Sequence, residues 1–175
     1  MTPEDSNQIF PLGGDASGEH ALNLNTGEVI STEPRPAPAT RTIAAPDICP
    51  ASLRETFTEA GYDTHYDDDG DLVVSHAAGK INIVVDPRFQ YLGFLAAFVV
   101  NEFAGMDLKH ELANGLNDRY HLVRFYFPDA TTLVADYVMS YKHGVTTAEL
   151  THMLERFAQA TDRALSNCDE LGLIL

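Results

Sequence analysis

The stretch Asn114-Gly115-Leu116-Asn117-Asp118-Arg119 stands where an amphipathic helix gives way to an alternating strand, and its reading decides the fold. On its N-terminal side Leu108, Leu112 and Leu116 recur at i, i+4 and i+8, the spacing of one helical face. On its C-terminal side His121, Val123, Phe125 and Phe127 alternate with Tyr120, Leu122, Arg124 and Tyr126, the period of a strand. The two asparagines fall on the last helical turn, where their side chains satisfy orphan carbonyls or tolerate a left-handed backbone. They read as structural punctuation, not as chemistry.

Working outward, a turn at Pro128-Asp129 leads into a second strand over residues 132–141, closing a hairpin. Gly144 then precedes Thr146 and Glu149, a capping box that opens the clearest helix of the chain. Its apolar face is Leu150, Leu154, Phe157, Thr161, Ala164, Cys168 and Leu171, a 4-3 rhythm that suits a helix lying on a sheet better than a coiled coil, since Thr161, Ala164 and Cys168 are weak seam residues. Toward the N-terminus, residues 91–100 are apolar on both faces, so both faces of this strand should be covered. Residues 62–66, 71–76 and 80–86, punctuated by Asp69-Gly70 and Ala78-Gly79, predict an antiparallel meander. Before them Ser52 and Glu55 read as a first capping box, with Leu53, Phe57 and Ala60 on one helical face and Gly61 as the stop. The predicted architecture is α+β, an antiparallel sheet with helices packed on it in the order α-β-β-β-β-α-β-β-α.

The 175 residues suit one domain with a proper core, preceded by an arm. Seven of the nine prolines lie in the first fifty residues, where large apolar residues are sparse, so residues 1–46 read as a flexible Pro/Gly-rich acidic arm and residues 47–175 as the folded domain. Ala21 to Ile30 breaks the pattern, with two short apolar stretches around Asn25-Thr26-Gly27 that could form a hairpin or a partner-binding motif. With 26 acidic against 11 basic residues, the net charge of −15 opposes the contacts that hold nucleic acid or anionic membranes. Association remains open to any face kept free of carboxylates. Two cysteines, Cys49 and Cys168, without metal spacing, and no basic-then-apolar leader at the start, predict a reduced cytoplasmic protein. The longest apolar run, residues 91–100, is about half of what a membrane helix needs.

Gly61-Tyr62 followed by Asp69-Gly70 and Leu72-Val73-Val74, the Asn114-x-x-Asn117 pair with Arg119 after it, and Gly144-Val145-Thr146 at the last helix carry a resemblance. In this order, over residues 47–175, the chain resembles the YbjN family of small bacterial proteins, whose fold is similar to that of type III secretion chaperones. It departs from the family at Leu116, a slot often held by tryptophan, which this chain lacks altogether. The resemblance implies a sensory-transduction or chaperone-like regulator, often able to dimerise, and transfers no catalytic residue.

The polar candidates are weaker than the apolar ones. Asp67-Asp68-Asp69-Gly70-Asp71 looks like a calcium loop, but the register puts His65 and His76 where its terminal carboxylates belong, so it reads as a solvated turn. The seven histidines never show H-x-x-x-H or H-E-x-x-H spacing. No G-x-S-x-G, G-x-G-x-x-G or P-loop pattern occurs, and Cys49 and Cys168 read as incidental or packed thiols. Catalytic residues, metal and cofactor are therefore expected to be none. Val134 and Val138 stand opposite the core face of Leu133, Ala135, Tyr137 and Met139, and Phe94 and Phe98 are placed likewise in their own strand. These four are the candidate interface unless the second helix covers them. The expected function is non-enzymatic binding of a protein partner or a second copy in a regulatory role; the alternative is a small-molecule sensor or enzyme with a pocket between sheet and second helix, contacted by His121 or Tyr137.

Overall fold

The computed structural model describes residues 20–22, 29–31, 40–168 and 172–175. The chain divides into two units, Met1–Ala37 and Pro38–Leu175. In the first, β1 (His20–Leu22) pairs antiparallel with β2 (Val29–Ser31), His20 opposite Ser31. The strands agree with the apolar stretches in the sequence; the proposed turn at Asn25-Thr26-Gly27 and most of the predicted arm lie outside the described residues.

The second unit begins earlier than the expected boundary at Asp47. β3 (Thr42–Ile43) pairs antiparallel with β10 (Val145–Thr146), and Ile43 and Ile48 are buried. Arg41 lies 3.3 Å from Glu55 and 3.4 Å from Glu59, while its backbone exchanges hydrogen bonds with Thr147. A two-residue strand among prolines has no periodicity to betray it; its partner lies about a hundred residues away.

Pro50 opens α1 (Pro50–Glu59), where its missing N–H is no loss. Ser52 is consequently the third helical residue and not the cap: the Cys49 N–H donates to Ser52 Oγ at 3.1 Å, and Glu55 turns instead to Arg41. The meander follows as β4 (Asp63–Tyr66), β5 (Leu72–His76), β6 (Gly79–Asp86) and β7 (Tyr91–Val99). Next come α2 (Met106–Arg119), β8 (Arg124–Tyr126), β9 (Thr132–Ser140) and α3 (Thr147–Cys168). Thr146 caps α3 by accepting from the Glu149 N–H at 3.1 Å, as its sequence predicts.

The six-stranded sheet runs β4-β5-β6-β7-β9-β8, every neighbouring pair antiparallel. Leu72, Val74, Ile81, Ile83, Leu92, Phe94, Leu133, Ala135 and Phe125 face one side and form a single core with Leu53 and Phe57 of α1, Leu116 of α2 and Leu150, Leu154 and Phe157 of α3. All three helices thus contribute to the same face of the sheet. Two expectations fail here. The buried residues of α2 are Lys109, Ala113 and Leu116, and Leu108 is exposed, so the helix is rotated from its leucine stripe. The predicted strand over residues 121–127 is paired only from Arg124, because Tyr120 to Val123 bend across toward α3.

Candidate functional site

Cross-strand pairing determines which apolar residues share a side. Phe94 stands opposite Tyr137 and Phe98 opposite Leu133, whereas Val138 faces Gly93 and Val134 faces Ala97. Directly opposed residues of an antiparallel pair project to the same face. The four proposed interface residues therefore do not form one patch: Phe94 is fully buried, its ring 6.2 Å from that of Phe157, and Phe98 packs against the core. The sequence assigns each strand an alternation but not the side on which the helices land.

Val134 and Val138 do lie on the outer face. There the centre of the sheet presents Val84, Leu95, Ala97, Val99, Val134 and Val138, and no described helix covers it. Val138 is 51% exposed and Val99 62%. Helix α2 does not cover this face, since its Leu116 belongs to the core on the other side. Nor is β7 covered on both faces as its composition suggests. The central carboxylate on the outer face is Asp136, and Arg124 neutralises it through paired hydrogen bonds, Nε to Oδ1 at 2.9 Å and Nη2 to Oδ2. Arg124 also lies over the Tyr126 ring, 5.2 Å from its centroid.

The residues of the opening stretch separate into different roles. Asn117 reaches past its own helix: its Nδ2 donates to the Phe125 carbonyl at 2.9 Å and its Oδ1 accepts from the Phe125 N–H at 2.8 Å. The amide thus takes the place of a further strand on the free edge of β8. Its role is edge protection, not the helix stop expected from sequence. Asn114 is exposed on the solvent side of α2 near Asp107, Glu111 and Asp118. Gly144 is a structural residue in the strict sense: its φ is +82° and an added Cβ would lie 2.7 Å from the Ile43 carbonyl oxygen.

His121 and Tyr137 both line a recess of about 590 Å³ to which Asn117, Tyr120, Arg124 and Asp136 also contribute. His121 is exposed at a bend, not at the edge of the core. A second cleft, of about 560 Å³, adjoins it between α3 and the Arg119–Leu122 link. Arg119, His121, His152, Arg156 and Arg163 line it with Glu155. Sequence reading did not connect these residues, although the i, i+4 and i+11 spacing of His152, Arg156 and Arg163 is visible as one face of α3.

The remaining polar motifs are local. Asp67 Oδ1 accepts from the Asp69 and Asp71 N–H groups at 3.1 and 2.8 Å, folding the acidic run into a turn. Hydrogen bonding at Ser52 lowers the pKa of the exposed Cys49 thiol, and the Cys168 side chain is outside the described residues. Among the described residues no three His, Cys, Asp or Glu converge to hold a metal ion, and no helix is long and apolar enough to cross a membrane.

No curated protein matches the chain significantly. The crystal structure of YbjN from E. coli is similar to it, with a TM-score of 0.62 and 17% identity over 73% of this chain and 96% of that one, a likeness of fold. The model of the YbjN family, described as "Putative bacterial sensory transduction regulator", matches residues 50–170. That match spans more than half of the chain and takes in the whole run from α1 to α3, and the chain belongs to the YbjN family.

Proposed function

We propose that this chain is a non-catalytic regulatory protein that works by binding protein through the open face of its sheet, with a second copy of itself as the first occupant. One observation carries the reading: a chain of net charge −15 keeps the centre of this face apolar and its one central carboxylate paired with Arg124. Like charges across an interface repel, so an acidic chain can meet itself only where its charges are absent or neutralised. A two-fold contact sets the same patch against itself, and apolar sheets pack face to face at about 10 Å. A chaperone-like role follows from the same surface, the client's apolar segment taking the place of the second copy. The acidic balance argues against nucleic acid and anionic membranes as partners. A cytoplasmic site of action suits the exposed free thiol of Cys49.

Sedimentation equilibrium of the full chain tests this. The unmodified protein is expected to dimerise, and Val99→Asp/Val138→Asp to be monomeric with unchanged circular dichroism, because both positions are exposed. A wild-type monomer at every concentration, or a dimer indifferent to the two aspartates, would sink the proposal.

A further inference from the structure

The cleft between α3 and the Arg119–Leu122 link gathers positive charge in a chain that has little of it. Three of the eleven basic residues, Arg119, Arg156 and Arg163, line it, with His121 and His152 beside them. Among the described residues Glu155 is the one carboxylate in the lining, and it is already engaged: it accepts from the Tyr62 hydroxyl, and His76 Nε2 lies 3.4 Å from the same oxygen. Among the described residues no carboxylate pairs with the guanidinium of Arg156 or of Arg163. Other described arginines of the surface are each engaged by a neighbour, Arg41 by Glu55 and Glu59, Arg124 by Asp136, and Arg54 and Arg88, which have no carboxylate either, by the rings of Tyr66 and Phe89. Packing is not the reason for the cluster, since Arg156 and Arg163 are exposed while the opposite side of α3 fills the core.

The walls of the cleft are built rather than incidental. The Tyr120 hydroxyl donates to the Arg163 carbonyl at 3.1 Å, tying the link to the last turns of α3, and Leu122 and Ala160 supply an apolar portion of the lining. A volume of about 560 Å³ is within the range of small-molecule sites. Planar guanidinium forks bind phosphate through paired charge-assisted hydrogen bonds, and the apolar wall suits the body of an ester.

We infer that the cleft lined by Arg119, Arg156 and Arg163 binds a small phosphate-bearing anion. This site is separate from the outer sheet face, so it stands or falls independently of dimerisation through that face.

The test is thermal denaturation and calorimetric titration of the full chain with inorganic phosphate and with glycerol phosphate, against sodium chloride of matched ionic strength. A saturable rise in Tm beyond that of chloride is expected, as for any ligand that binds only the folded state. Arg156→Gln and Arg163→Gln should each weaken binding roughly tenfold, the loss of one charge-assisted contact, while Arg88→Gln, remote from the cleft, leaves it unchanged. Tighter binding of the ester identifies a phosphorylated small molecule as the ligand; equal or tighter binding of the free ion identifies inorganic phosphate. A response no greater than that of chloride, or one that survives the double variant Arg156→Gln/Arg163→Gln with its fold intact by circular dichroism, overturns the inference.

Discussion

Asn117 does for β8 what a neighbouring strand would do, and it does so with one side chain. Its amide pairs with both the N–H and the carbonyl of Phe125. Asn117→Ala is expected to lower unfolding free energy by about 2 kcal/mol, two net hydrogen bonds at roughly 1 kcal/mol each, read from urea midpoints. Asn117→Asp, although nearly isosteric, should fail at neutral pH because a carboxylate cannot donate to the Phe125 carbonyl. Gly144 is constrained by geometry instead: at φ +82° with the Ile43 oxygen 2.7 Å from an added Cβ, Gly144→Ala should cost at least about 1–2 kcal/mol for the left-handed backbone alone. Loss of the β3–β10 pairing should accompany it, visible as faster amide exchange at Ile43. Both residues stood out in the sequence as markers. Their roles did not, since the atoms that need them, Phe125 and Ile43, are supplied by other elements.

Among the elements, α2 shows how a stripe of leucines can mislead. Leu108 is exposed, while Lys109 is completely buried and its Nζ donates to the Ala130 and Glu102 carbonyls. A lysine stem packs as well as an apolar side chain, provided its ammonium finds acceptors, and here the loops before α2 and before β9 supply one each. Lys109→Ala is therefore expected to destabilise by about 2–3 kcal/mol through the lost charged hydrogen bonds, and Leu108→Ala by less than about 0.5 kcal/mol, both measured by chemical denaturation. Periodicity would rank them in the opposite order. In α3 the same rule succeeds: Leu150, Leu154, Phe157, Thr161 and Ala164 are all buried as their spacing predicts, because this helix lies along the sheet without an intruding polar anchor.

At the scale of the whole molecule, Tyr62, His76 and Glu155 join α3 to the edge of the meander. Hydrogen bonding from Tyr62, ahead of the influence of His76, holds the Glu155 carboxyl below its ordinary value of 4.5. A depressed carboxyl stabilises the fold above that value, and the contribution is lost as pH falls through the folded pKa. Burial, then the bond to Glu155, raises the Tyr62 phenol, so its contribution holds below the ordinary 10.0 and is lost at higher pH. Comparing Tyr62→Phe with the unmodified chain by urea midpoints across pH should show the largest difference between those two limits and convergence below 4.5 and above 10.0. By itself the sequence determined the order of the main elements, the turns of the meander, the cap of α3, the acidic character and the family resemblance, because hydrophobic period and turn chemistry are local properties. Only the tertiary structure decided that the helices share one face, that Phe94 and Phe98 are core while Val134 and Val138 are not, that residues 40–46 belong to the fold, and that Arg119, Arg156 and Arg163 surround one cleft. Each of these depends on which distant segments meet, and alternation along a strand or helix states only that a residue has a side, not what lies against it.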